Sequence, residues 1–174
     1  LRNLGPGITI SGSFSVPYTQ ARIAGNVCLH NQFGIHTAAS YGPIVIEYNV
    51  CWRNGSVDGV TAMPNNFGRG IELTSNDGLV VRFNSCCEQY NFGGISQNCT
   101  EGVGIGPDDY TTNAKIYGNY IARNEGNGLQ PFRNVGTKMY GNLLIDNFSV
   151  PLGYRGSATP TAYLAVQIYS NLVR

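Results

Sequence analysis

An all-β solenoid of parallel strands is the fold class that this sequence predicts, and three observations predict it. First, one asparagine-centred pattern recurs along the chain at spacings of 23, 35, 35, 23 and 29 residues, and self-similarity at such a period is typical of a solenoid. Second, apolar residues alternate with polar ones around each asparagine, which predicts strands because side chains at i and i+2 share a face. Third, no stretch has a helical stripe of useful length, and the 23 glycines indicate a chain that bends often.

The composition argues against several classes of function. Charged residues make up 12% of the chain and the net charge is +1, so no basic face is expected to attract nucleic acid. The glycine-rich stretch 102–107 lacks the strand-then-helix context of a phosphate loop. Apolar runs are too short for a transmembrane helix. We therefore expect residues 1–174 to form one domain without a membrane span, with both ends continuing in a longer parent protein.

Each repeat is built around one anchor asparagine. The anchors are Asn26, Asn49, Asn84, Asn119, Asn142 and Asn171. The residue three positions before each anchor and the residue two positions after it are apolar, as Ile23 and Cys28 are in the first repeat. We predict that these residues stack in the core about 4.8 Å apart. Five positions after the anchors, further amide side chains recur at Asn31, Asn54, Gln89, Asn124 and Asn147.

A second strand precedes most anchors at a nearly constant distance. It begins at Gly34-Ile35, Gly70-Ile71, Gly104-Ile105 and Gly128-Leu129. The apolar residues of these pairs lie 14, 13, 14 and 13 residues before the next anchor, so insertions must lie elsewhere in the repeat. An earlier and less regular repeat is expected to begin at 7–10.

The chain resembles the right-handed parallel β-helix of the pectin-lyase-like superfamily. The pattern that supports this is clearest in IYGNYIARNEGNGL at 116–129, and the resemblance covers roughly residues 21–174. It implies a single-stranded solenoid of about six to seven coils, with three parallel sheets and an asparagine ladder at the turn between the second and third sheets. Asparagine suits that turn because it tolerates a left-handed backbone and its amide can bond neighbouring backbone groups.

Two consecutive repeats have long insertions at the same corner, loops 55–69 and 90–103. Neighbouring loops would form a wall beside the outer face of the strand that follows them, and function is often found on loops held by a rigid scaffold. The resemblance implies a substrate cleft between the first sheet and these loops.

Alternation predicts which side chains line that cleft. The first outward row is His36, Glu72, Gly106 and Gln130, and the second is Ala38, Thr74, Asp108 and Phe132. Arg69 and Arg133 flank the strand ends, and Asp58 lies in the first loop. We expect Gly106 to leave a gap for a sugar ring and Phe132 to stack on that ring, which makes Arg69, Arg133, Gln130, Phe132 and Asp58 the candidate substrate-binding residues.

This set of residues suits polysaccharide chemistry. Glu72 and Asp108 are candidates for the acid and the base or nucleophile of glycoside hydrolysis, in which the separation of the two carboxylates decides the outcome. Alternatively, Arg69 or Arg133 would bind the carboxylate of a uronate polymer, and His36 would act as general base in a lyase or epimerase reaction. No cofactor is expected, although carboxylates in the cleft could recruit calcium.

A non-catalytic β-helix is the alternative, such as a module of an adhesin, a surface protein or a phage tail fibre. In either case we expect an extracellular or cell-surface location. Solenoid ends need caps and none is evident, so self-association through the ends of the solenoid is expected.

Outside the cleft, we expect Tyr117, Tyr140 and Tyr169, joined by Tyr48, to form an outward aromatic stack. The sequence leaves undecided whether Cys87 and Cys99 form a disulfide bridge.

Overall fold

Three parallel β-sheets make up the part of the chain that the computed structural model describes, residues 5–12, 20–40, 42–55, 68–90, 102–149 and 166–174. Sheet one contains β1 (Ile8–Ser11), β4 (Phe33–Ala38), β7 (Arg69–Thr74) and β10 (Val103–Asp108). Sheet two contains β2 (Ala21–Ala24), β5 (Ile44–Glu47), β8 (Val80–Arg82), β11 (Lys115–Tyr117), β13 (Lys138–Tyr140) and β15 (Gln167–Tyr169). Sheet three contains β3 (Val27–Leu29), β6 (Val50–Trp52), β9 (Ser85–Cys87), β12 (Tyr120–Ala122), β14 (Leu143–Ile145) and β16 (Leu172–Val173).

The chain passes through sheets one, two and three in turn, which confirms the prediction of an all-β chain of parallel strands. The early strand predicted at 7–10 is β1, which pairs in parallel with β4 and sets Ile8 opposite Ile35. The strand predicted at 128–129 is reduced to one bridge between Ile105 and Leu129. No helix of the described segments is long and apolar enough to cross a membrane.

The core lies between the sheets and follows the predicted stacks. The residues three positions before the anchors pair in register along sheet two: Ile23, Ile46, Val81, Ile116, Met139 and Ile168. The residues two positions after the anchors pair in register along sheet three: Cys28, Cys51, Cys86, Ile121, Leu144 and Val173. All are buried except Ile168 and Val173, in the two strands nearest the C terminus.

The anchor asparagines form a continuous ladder between sheets two and three. The side-chain Nδ2 of each anchor donates to Oδ1 of the next over 2.9 to 3.0 Å. The backbone N–H of each anchor donates to the same oxygen, as Asn49 does to Asn84. Because nearly every polar atom of a buried amide is satisfied in this way, the ladder stabilises the turn without an uncompensated polar group.

A second ladder follows sheet three, at the amides five positions after the anchors. Asn31 Nδ2 donates to Asn54 Oδ1, Asn54 Nδ2 donates to Gln89 Oε1, and Asn124 Nδ2 donates to Asn147 Oδ1. Gln89 continues the ladder through its backbone N–H, which donates to Asn124 Oδ1. The recurrence of amides at this position therefore reflects structure.

One expectation about the anchors was wrong. The left-handed backbone belongs to the residue before each anchor, with φ of 57° at Tyr48 and 56° at Phe83, and no anchor has a positive φ. The reason is that the preceding residue reverses the chain, so the asparagine amide can point inward. There it donates to backbone carbonyl groups, as Asn84 Nδ2 does to the carbonyl oxygen of Ile46.

The aromatic stack outside sheet two is present with one change. Tyr117 and Tyr140 stack with ring centroids 5.0 Å apart, and Tyr140 and Tyr169 stack at 5.1 Å. Tyr48 joins through Phe83, which stacks on Tyr48 at 5.4 Å and meets Tyr117 edge-on. Tyr48 and Phe83 are the left-handed residues directly before their anchors, one position later than the three tyrosines.

Candidate functional site

The outer face of sheet one brings together the predicted rows. His36, Glu72 and Gly106 are neighbours in register across β4, β7 and β10, and Ala38, Thr74 and Asp108 form the next row. Ile35, Ile71 and Ile105 point into the core, with no exposed surface. Alternation along the strand therefore determines which side chains face outward.

Arg69 lies at the centre of this face and holds two carboxylates. Its Nη1 atom donates to Glu72 Oε2 in a very short contact and to Asp108 Oδ2 at 2.7 Å. The side chains of Arg69, Glu72 and Asp108 are only 10%, 9% and 20% exposed. The two carboxylate candidates for catalysis thus contact the residue that was expected to bind a substrate carboxylate.

The gap expected above Gly106 is filled. A Cβ atom placed on Gly106 would lie 3.2 Å from Arg69 Nη1 and 3.2 Å from Glu72 Oε2. The absence of a side chain at Gly106 makes room for this ion pair, and a sugar ring does not fit there in the present arrangement. The expectation of a sugar-sized gap at this position was therefore wrong.

His36 lies beside Glu72 and is partly buried. Its ring faces that of Phe33 at a centroid distance of 5.5 Å. Burial, followed by the positive charge of Arg69, lowers the pKa of His36 below its ordinary value of 6.5. The imidazole is therefore neutral at pH 7, and a neutral imidazole can accept a proton as a general base.

Arg133 and Phe132 form a separate cluster. Arg133 Nη1 bonds Asp109 Oδ1 at 3.0 Å, and its guanidinium lies 4.8 Å from the centroid of the Phe132 ring. Arg133 therefore covers a face of the ring that was expected to stack on sugar. The backbone N–H of Asp109 also donates to Asp108 Oδ1 at 2.8 Å, which links this cluster to the Arg69 site.

Gln130 follows Leu129, the partner of Ile105, and so lies next to Gly106 in the outward row. It is 4% exposed, and its Oε1 atom is buried without a hydrogen-bond partner. The remaining candidate, Asp58, lies outside the described residues, as do 56–67 and 91–101 of the two predicted loops.

Sequence reasoning missed Asp109 as the partner of Arg133 and missed a third row of buried polar residues at the corner after sheet one. That row is Ser40, Asn76, Thr111 and Asn134. Each follows a residue with a left-handed backbone, as at the other two corners. The signal was present as a polar residue five or six positions after the inward apolar residue of the sheet-one strand.

The cysteine column is structural. Cys28, Cys51, Cys86 and Cys87 are free and buried, and Cys99, the other half of the open Cys87–Cys99 pairing, lies outside the described residues. Hydrogen bonding to Cys51, followed by burial, raises the pKa of Cys28 far above its ordinary value, so it remains a thiol and does not act as a thiolate ligand. The column packs on glycines, since a Cβ on Gly34 would lie 2.8 Å from Cys51 Sγ.

The described residues contain no group of three or more His, Cys, Asp or Glu side chains arranged to bind a metal ion. A calcium ion bound between Glu72 and Asp108 would have to displace Arg69 from both carboxylates. Calcium recruitment stays a prediction.

Comparison with known proteins identifies no family for this chain. Scans against protein-family models, curated proteins and solved structures found no match to this chain. The resemblance to the pectin-lyase-like superfamily therefore stays a prediction from the repeat pattern, and function has to be argued from the geometry of the site.

Proposed function

We propose that this chain is an extracellular or cell-surface polysaccharide-processing protein, built as a right-handed β-helix of the pectin-lyase-like type. One observation supports it most: Glu72 and Asp108, on adjacent strands, contact the same nitrogen of Arg69. Since an N–H···O bond spans about 3 Å, the two nearest carboxylate oxygens lie within about 6 Å of each other. This separation suits a retaining glycoside hydrolase better than an inverting one, which needs a wider space for water.

In the proposed reaction Glu72 is the acid and Asp108 the nucleophile. We assign the acid role to Glu72 because its side chain is the less exposed of the two, 9% against 20% for Asp108. Glu72 donates its proton to the glycosidic oxygen while an Asp108 oxygen attacks the anomeric carbon, so the bond to the leaving sugar breaks and a glycosyl ester forms. Glu72, now a carboxylate, then takes a proton from water, and the hydroxide displaces Asp108 with net retention.

The test is an assay of the purified protein on neutral and uronate polysaccharides, following new reducing ends and the ultraviolet absorbance of unsaturated ends. We expect reducing ends without absorbance, and a loss of at least about a hundredfold in Glu72→Gln and Asp108→Asn. Glu88→Gln is the matched control, because Glu88 also pairs with two arginines but lies directly after β9 of sheet three, away from the candidate site. Absorbance at unsaturated ends would point to the lyase reaction instead.

A non-catalytic module of an adhesin, a surface protein or a phage tail fibre is the second candidate, and one observation favours it. Arg69 binds both carboxylates, as expected of an ion cluster that only joins strands. In that case no polymer yields product, and Glu72→Gln changes the free energy of unfolding alone.

Self-association through an end of the solenoid is also proposed. Ile168 and Val173 occupy core positions but are 42% and 48% exposed, and exposed apolar surface favours association. Sedimentation velocity should show concentration-dependent dimers or longer species. A monomer at all concentrations would contradict this.

A further inference from the structure

The charges on the outer face of sheet one point to a particular class of substrate. Arg69 is bound by Glu72 and Asp108, and Arg133 is bound by Asp109. Two guanidinium groups thus face three carboxylates. The lowered pKa of His36 keeps its ring uncharged at neutral pH, so it adds no positive charge. A uronate polymer, with one negative charge per sugar, would therefore approach a face on which the described acidic groups outnumber the described basic ones.

Gln130 supplies the second and independent observation. Its Oε1 is a buried acceptor with no donor, in the outward row next to Gly106. A buried acceptor without a partner is destabilising, so a ligand that brings a donor is favoured. Sugar hydroxyl groups are such donors, whereas a carboxylate brings none.

We propose that the polysaccharide handled at this face is uncharged, and that one of its hydroxyl groups donates to Gln130 Oε1. This inference rests on the proposed function, and it narrows the substrate from polysaccharides in general to neutral ones. It also removes the role in carboxylate recognition that sequence reasoning assigned to Arg69 and Arg133, because both are already paired with acidic side chains of the same chain.

The experiment compares each uronate polymer with its own neutral derivative. Polygalacturonate and polymannuronate are prepared with and without reduction of their carboxylates to primary alcohols, which preserves the linkages. Binding of the full chain is measured by affinity gel electrophoresis at low and moderate salt, beside neutral glucans and mannans. We expect at least one neutral polymer to bind about tenfold or more tightly than any uronate polymer, with the preference decreasing as salt screens the charges.

Gln130→Met tests the hydrogen bond. Methionine keeps a similar length but removes the acceptor, so binding of the neutral polymer should weaken about fivefold to tenfold, as for the loss of one hydrogen bond. The thermal midpoint should be unchanged or higher, because Oε1 has no partner within the described residues. Unchanged binding in this variant would overturn the assignment of Gln130.

The failures of the two proposals are distinguishable. Tighter binding or turnover of a uronate polymer would overturn the neutral-substrate inference and leave polysaccharide processing standing. Neither binding nor turnover of any polymer, in a protein that unfolds cooperatively, would overturn both.

Discussion

Two ion clusters on different faces of the molecule have opposite composition. On sheet two, Glu47 lies between Arg22 and Arg82, one carboxylate with two guanidinium groups. On sheet one, Arg69 lies between Glu72 and Asp108, one guanidinium group with two carboxylates. Both clusters bridge neighbouring strands, but only the second leaves an excess of negative charge.

The third face repeats the arrangement of sheet two, with Glu88 between Arg53 and Arg123. In that arrangement the carboxylate is the more buried partner and the arginines reach it from a more exposed position, since Arg22 is 67% exposed and Glu47 only 4%. Long arginine stems allow this at little cost. In such clusters the buried charge has two partners and the excess positive charge lies on exposed arginine side chains. On sheet one the excess charge within the described residues lies on carboxylates that are only 9% and 20% exposed, and this difference distinguishes a candidate site from a surface ion network.

The largest effect is expected from Arg69→Met. Removal of the guanidinium takes away the positive charge that the partly buried Glu72 and Asp108 share, which should lower the free energy of unfolding by about 3–5 kcal/mol. Urea denaturation monitored by far-ultraviolet circular dichroism measures it.

The triple variant Arg69→Met, Glu72→Gln, Asp108→Asn is its control. Because the charges are removed together, most of the lost stability should return. A triple variant as unstable as the single one would mean that Arg69 stabilises the fold through packing. The difference in charge between the clusters on sheets one and two would then not explain the effect of Arg69→Met.

Glu47→Gln tests the cluster on sheet two through its pH dependence. Hydrogen bonds from Arg82 and then Arg22 lower the pKa of Glu47 below its ordinary value of 4.5. A lowered carboxyl pKa contributes stability above pH 4.5 that disappears as pH falls through the folded-state pKa. Wild type should therefore be more stable than Glu47→Gln at pH 7, and the two should converge in acid. A difference that persists at low pH would contradict the ion-pair explanation.

His36 provides a smaller, local test of the sheet-one charge. Its pKa, followed by NMR, should lie below 6.5 in the native protein and return to about 6.5 in denaturing urea. Since the unfolded chain takes up this proton first, the contribution of His36 to stability should be lost as pH falls below 6.5. A native pKa equal to or above that of the unfolded chain would contradict the burial of His36 and the effect of the Arg69 charge on it.

Arg22→Gln should have the smallest effect. Arg22 is largely exposed, and Glu47 keeps its bond to Arg82 at 2.7 Å. Surface ion pairs contribute about 0–1 kcal/mol, so the change in unfolding free energy should lie in that range. A loss as large as that of Arg69→Met would show that exposure does not separate the two clusters.

The candidate site was only partly predictable. Alternation placed His36, Glu72 and Asp108 on one face, because a strand has a period of two and register is transmitted between paired strands. The distance from Arg69 to its two carboxylates was not predictable, since a long side chain has several rotamers and the packing around it selects one. For the same reason Phe132 was predicted as outward but not as covered by Arg133.

By itself, the sequence determined the parallel all-β architecture, the inward core stacks and the position of the anchor asparagines that form the first ladder. Each depends on residues that recur at the same position in successive repeats, and this recurrence can be read directly from the order of residues in the sequence. Only the tertiary structure decided that the left-handed residue precedes each anchor and that Arg69 fills the space above Gly106. These features depend on side-chain rotamers and on contacts between residues that occur once, and a repeat pattern contains no information about them.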